Sequence, residues 1–146
     1  LYSSEYKALD GVWRNTRFNG RHALSFTAGK EFLRAKNRVV GINLRTIYTG
    51  GFWTTPIDLE KSQELGETRY LESQAFTEQL PDYFRADLRL SLKRNRPKAT
   101  TILALDIQNV TNNKNLGGQY FEPRSGEIQK WYMLPFLPVL SYRVEF

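Results

Sequence analysis

The sequence predicts an all-β fold: a segment of an antiparallel transmembrane β-barrel with five to six long strands. Three observations predict it. Apolar and polar residues alternate with period two over runs of ten or more residues, whereas soluble strands average about 5–6 residues and membrane-crossing strands need about 9–11. The connections between runs are tight and long by turns. Charged side chains fill one face of the runs, and a packed core could not hold them unpaired.

The strands follow in order. In residues 21–34, His22, Leu24, Phe26, Ala28 and Phe32 oppose Arg21, Ala23, Ser25, Thr27, Gly29 and Glu31. In 39–49, Val40, Ile42, Leu44 and Tyr48 oppose Gly41, Asn43 and Arg45. The cleanest run sets Phe84, Ala86, Leu88, Leu90 and Leu92 against Arg85, Asp87, Arg89, Ser91 and Lys93. Next, Thr101, Leu103, Leu105 and Ile107 oppose Ala104, Asp106 and Gln108. Last, Leu140, Tyr142, Val144 and Phe146 oppose Ser141, Arg143 and Glu145. Pro135 and Pro138 remove ladder donors, so a regular last strand is expected only from Val139, or after a bulge. Residues 1–8 are the candidate sixth strand.

Tight turns are expected at 35–37 and 95–97, on the periplasmic side of an outer-membrane barrel, and long loops at 9–20, 50–81 and 111–130 on the extracellular side. Within the second loop a short helix is expected over 58–65, capped by Asp58 and stopped by Gly66. Gly50-Gly51 and Gly117-Gly118 read as loop glycines. Tyr48, Phe52, Trp53, Tyr83, Trp131 and Tyr132 stand where strands meet long loops, the place of an interfacial aromatic girdle. The leucine faces suit lipid, and the Arg85, Asp87, Arg89 face suits a polar lumen.

Composition narrows the function. With no cysteine, disulfides, thiolate metal sites and thiol nucleophiles are excluded. His22 is the single histidine and reads as a strand-face residue, so no metal site and no cofactor is expected. The carboxylate pairs Asp58/Glu60 and Glu64/Glu67 lie in a polar loop and read as solvated, so no enzyme activity is expected. The net charge is +6. Basic clusters stand about the two tight turns (Arg34, Lys36, Arg38 and Lys93, Arg94, Arg96, Lys98) and six acids stand in the 52–81 loop, a polarity along an axis that argues against a nucleic-acid face. Loop residues suited to a ligand are Trp13, Arg14, Arg17, Trp53, Arg69, Tyr70, Tyr120, Arg124 and Trp131. Trp and Tyr give contact area at low entropy cost, and Arg gives bidentate acceptor recognition.

Several segments together resemble a family. Pro81-Asp82-Tyr83-Phe84-Arg85-Ala86-Asp87-Leu88-Arg89 resembles the start of a late barrel strand in TonB-dependent outer-membrane receptors. Asp106-Ile107-Gln108-Asn109-Val110-Thr111-Asn112 resembles the next strand and its exit. Asp10-Gly11-Val12-Trp13-Arg14-Asn15-Thr16 and Pro56-Ile57-Asp58-Leu59 resemble extracellular loops of one branch, and 141–146 resembles the terminal signal of such barrels. The resemblance implies an outer-membrane location and energised uptake of a scarce nutrient through a plugged barrel of about 22 strands.

On that footing residues 1–146 are expected to be the C-terminal portion of the barrel domain, the plug and earlier strands lying outside them. The start of the sequence itself reads as the interior of a longer chain. The implied partners are outer-membrane lipid, the nutrient, and a TonB-type energy transducer acting through the missing plug. The barrel-assembly machinery would read Leu140, Tyr142, Val144 and Phe146. The alternatives are a passive porin or adhesin barrel and a soluble ligand-binding barrel.

Overall fold

A computed structural model describes all of residues 1–146. Strands hold 56% of the residues and helix 7%, which places the chain in the all-β class with antiparallel sheets. The chain divides into two compact units.

One unit comprises residues 25–47, 84–113 and 134–146. Its sheet is built from β3 (Ala23–Arg34), β4 (Arg38–Thr49), β7 (Tyr83–Arg96), β8 (Ala99–Gln108) and β11 (Leu137–Glu145), in the order β11-β8-β7-β4-β3. The sheet is open, with β11 and β3 at its edges. The strands run 9–14 residues. Register follows the alternation. Leu88, Leu90 and Leu92 face Ile107, Leu105 and Leu103, and Pro138, Leu140 and Tyr142 continue those three rows. On the other face Arg89 meets Asp106, and Ser91 meets Ala104.

The first tight turn falls at 35–37 as the sequence predicts, and the second differs in detail. Lys36 and Asn37 adopt left-handed φ of 62° and 55°, which closes the turn between β3 and β4. The second turn is shorter than expected: β7 runs on to Arg96, which pairs with Ala99, leaving only Pro97 and Lys98 to turn. Proline's fixed φ suits that first corner position. Lys93, Arg94 and Arg96 therefore belong to a strand, and so each has a defined face.

Two expectations about strands are corrected. The last ladder begins at Leu137, not Val139, and passes Pro138 without a register shift. β11 has a neighbour on one side only, so a missing donor there is tolerated. Residues 1–8 add no sixth strand to this sheet. Only β1 (Glu5–Lys7) forms, in a separate hairpin with β2 (Trp13–Asn15).

The approach to β11 is held by two asparagines. Asn109, almost fully buried with φ of 50°, ends β8. Its Nδ2 donates to the carbonyls of Asn113 (3.0 Å) and Leu134 (3.2 Å), and its Oδ1 accepts from the Asn113 N–H (3.1 Å). The Phe136 N–H donates to Asn112 Oδ1 at 3.1 Å. Asparagine tolerates the left-handed backbone and bonds locally at the same time, which is why the Asn-Val-Thr-Asn run can turn the chain here.

The other unit comprises residues 1–24, 48–83 and 114–133. The long loops of the sequence reading are thus largely folded. They hold the β1–β2 hairpin, the short pair β5 (Trp53–Thr54) and β6 (Glu78–Gln79), and the hairpin of β9 (Leu116–Glu122) with β10 (Glu127–Tyr132). The expected helix is present as α1 (Leu59–Leu65). Asp58 caps it by accepting from the Lys61 N–H at 3.1 Å, and Gly66 stops it at φ of 70°.

Gly50 and Gly51 are places of close backbone approach. A methyl group at Gly50 would sit 1.7 Å from the Gly20 carbonyl oxygen, and one at Gly51 would sit 1.7 Å from that of Leu80. Gly51→Ala is expected to destabilise this unit by about 3 kcal/mol, the upper end of overpacking. Gly11→Ala, with open space around it but φ of 80°, should cost only about 1–2 kcal/mol. Denaturant midpoints of the two variants check this; equal shifts would show that the close approach is relieved at no cost.

Candidate functional site

The unit that carries the short hairpins contains a recess of about 520 Å³. Its walls come from the segment before and within β5, from the 3-10 turn Glu72–Gln74 and from β9 and β10. Phe52, Trp53, Tyr70, Phe76 and Trp131 supply ring faces, and Tyr6 adds a sixth ring. Arg17 and Glu72 give one charge of each sign, and Thr54, Thr55 and Gln119 add hydroxyl and amide groups.

Each ring is positioned by contacts the local sequence provides. Trp53 Nε1 donates to the Asn19 carbonyl at 2.7 Å, and its N–H donates to the Arg17 carbonyl at 2.9 Å. The Arg17 guanidinium lies 5.6 Å from the Phe52 ring centre, and Phe18 meets Phe52 edge-on at 5.7 Å. Phe76 adopts φ of 54°, unusual for an aromatic residue. Its N–H donates to Thr55 Oγ1 at 3.2 Å and its ring meets Tyr6 edge-on.

Trp131 pairs with Gly118 in the β9–β10 register. A methyl at Gly117 would lie 2.1 Å from the Trp131 ring, and one at Gly118 would lie 2.7 Å from its Nε1. The two glycines are strand residues, not loop glycines, and their bare backbone is the bed on which the indole rests. Trp131 stays half exposed, so it presents a platform whose rotation is blocked from behind.

Four of the nine sequence candidates come together here: Arg17, Trp53, Tyr70 and Trp131. The other five do not line the recess. Trp13 is exposed on β2, and Tyr120 on β9. Arg124 lies in the β9–β10 turn, its N–H donating to Glu122 Oε1 at 3.2 Å. Arg69 pairs with Glu67. Arg14 donates to both oxygens of Asp10, at 2.9 and 2.6 Å. Sequence reasoning missed Tyr6, Phe52, Glu72, Phe76 and Gln119 as lining residues. The paired glycines opposite tryptophan were the available signal, since glycine in a strand often marks a close approach.

A second cluster involves His22, Tyr48 and Asp82. The Tyr48 hydroxyl donates to Asp82 Oδ2 at 2.6 Å and the Gly51 N–H donates to Oδ1 at 3.2 Å. Donation from Tyr48, joined by the Gly51 N–H, holds the Asp82 carboxyl below the usual range. His22 Nε2 lies 3.7 Å from the same carboxylate, and its ring is 5.0 Å from that of Tyr48. Tyr48 is therefore engaged with the carboxylate, while the buried His22 Nε2 lies near it without a hydrogen-bond partner.

Comparison of the chain with protein-family models, with curated proteins and with solved structures finds no match. The recess offers ring faces that could stack or take an apolar surface, with donors and acceptors beside them.

Asp10 gives a test of the Arg14 geometry. Hydrogen bonding from Arg14, then from the Val12 N–H, lowers its pKa to about 2. A depressed folded value means the pair contributes above the unfolded value of about 3.9. The contribution fades as pH falls through the folded value. NMR titration of Asp10 should give a midpoint near 2, and Arg14→Gln should raise it. An unchanged midpoint in that variant would show that Arg14 is free for a ligand.

Proposed function

We propose that the chain is part of an outer-membrane receptor barrel that imports a scarce nutrient by TonB-dependent, energised transport. The observation that carries this reading is the two-faced sheet. On one face Leu90, Leu92, Leu103 and Leu140 are exposed, Leu140 by 71%. Contiguous apolar rows of this kind mark a surface that something apolar covers. On the other face Arg85 donates to Asp87 and Gln108, and Arg89 donates to Asp106. Paired charge on that side suits a water-lined lumen. Strand lengths of 9–14 residues match a tilted crossing.

The aromatic recess is the part that would meet the nutrient. The energy transducer, on this reading, acts through a plug domain that these residues do not include. A passive porin or adhesin barrel would share the sheet but not the dependence on energy.

Two measurements test the reading. Leu90→Arg places a charge on the lipid face at a cost of about 2–4 kcal/mol and should sharply lower the yield inserted into lipid vesicles. Ser91→Arg, on the opposite face, should insert normally. Equal yields would mean the faces are misassigned. In cells, loss of the encoded protein should impair growth on one limiting nutrient, and removing the energy transducer should reproduce that defect. Uptake that persists without the transducer would favour the passive pore.

A further inference from the structure

Arg38 opens β4, and Arg94 lies two residues before the end of β7. Both occupy even positions, in strands whose even positions hold Val40, Ile42, Leu90 and Leu92. Both guanidiniums therefore leave the apolar face. With Leu92, Thr101, Leu103 and Tyr142 they line a pocket of about 290 Å³. Leu92 and Leu103 also line an apolar groove of about 320 Å³ that continues past Leu90 and Leu105 to Leu140. The cationic pocket and the apolar groove thus adjoin on one face of the sheet at Leu92 and Leu103.

Neither arginine takes part in any ion pair of the molecule. The acids of the same sheet end, Glu31 and Glu145, stand at odd positions, on the opposite face. Lys30 and Arg34 flank the Phe32 ring at 5.4 and 5.7 Å on β3's even positions, so the positive charge of this rim is not local to one strand. Free phosphate would use the guanidiniums and leave the leucines bare; a hydrocarbon chain would use the leucines and leave the charges unanswered. Only a molecule with an anionic head joined to an apolar chain satisfies both.

We propose that this pocket and groove hold one anionic phospholipid, its phosphate between Arg38 and Arg94 and an acyl chain along Leu90, Leu92, Leu103 and Leu105. The proposal rests on the membrane reading and adds to it a specific lipid site near the tight turns. Guanidinium forks bind phosphate oxygens in bidentate fashion. A choline head group would bring a third cation beside two, which is the basis of selectivity.

The test uses the complete barrel of which these strands are part, folded into phosphatidylcholine vesicles with a minor fraction of phosphatidylglycerol, because an open sheet edge is not tolerated in lipid. The barrel is then extracted in neutral detergent, and native mass spectrometry counts the lipids retained. Phosphatidylglycerol should be retained in preference to phosphatidylcholine. Arg38→Gln with Arg94→Gln should reduce that preference roughly thirtyfold, from the loss of two basic residues at a lipid surface. Arg38→Lys with Arg94→Lys should keep most of it. Lys36→Gln with Lys93→Gln removes the same charge from the turn and the opposite face and should leave it unchanged. Insertion without lipid preference, equal loss in the Lys36/Lys93 control, or displacement of the lipid by inorganic phosphate would each overturn the site alone. Failure to insert into vesicles would overturn the membrane reading and the site with it.

Discussion

Arg89 and Asp106 face each other across β7 and β8, with Arg89 Nη1 2.8 Å from both carboxylate oxygens. That juxtaposition is tied to which leucines meet. In this register the rows Leu88/Ile107, Leu90/Leu105 and Leu92/Leu103 form on the other face. A slip of one residue would carry every side chain of one strand to the opposite face, setting Arg89 among leucines. A half-exposed ion pair contributes only up to about 1 kcal/mol in water. Its larger consequence is the penalty against the slipped alternatives, where an unpaired charge would join an apolar surface. β8 passes the register on to β11, so Leu140 and Tyr142 extend the rows, and β4 joins through Gly41, whose bare backbone makes room for Ser91.

The unit of short hairpins is held together differently. Its buried apolar side chains are Leu80 and Phe121, too few to order so much irregular chain. Polar groups do much of that work. Asn19, 2% exposed, accepts the Ser4 N–H through Oδ1, donates to Asn15 through Nδ2, and gives its carbonyl to the Trp53 indole. Ser62, fully buried, donates to the Asp58 carbonyl and accepts the Arg69 N–H. Buried polar groups of this kind are costly when unmade and specific when satisfied. They fix loop geometry without a large core, which leaves ring faces such as that of Trp131 open to the recess.

The sheet was legible because period two is a property of neighbouring residues, and Leu88 through Leu92 state it without help from tertiary contacts. The capped helix was legible for the same reason: Asp58 and Gly66 act within a few residues. The recess was only partly legible, because it depends on contacts far apart in sequence. Trp53 and Trp131 stand out as aromatic loop residues, but nothing local says that one rests near Asn19 and the other on Gly117 and Gly118. Arg14 and Arg69 looked available for a ligand, yet near neighbours Asp10 and Glu67 occupy them, a competition that charge spacing alone does not decide. The face of Arg94 is not legible in the sequence because the alternation is clear only as far as Lys93, and the ladder's continuation to Arg96 depends on pairing with Ala99, Thr100 and Thr101.

The edges of the sheet carry the argument one step further. β11 pairs with β8 along nine residues, from Leu137 to Glu145, and its other side is unpaired. A long, exposed and partly apolar edge is a template for uncontrolled pairing, and folded proteins shorten, charge or cover such edges. Here the devices are weak. Arg143 and Glu145 bond to each other on one face, and Pro138 removes a single donor. An edge so lightly guarded is compatible with a protein in which another strand normally completes it, as barrel closure requires on the receptor reading. Pro138 then sets a condition on that closure. A strand added to the free side must meet the proline at a position that needs no donor from it, or accept a bulge there. On the receptor reading the proline therefore restricts the registers open to a strand added at the β11 edge, as the Arg89–Asp106 pair restricts them between β7 and β8.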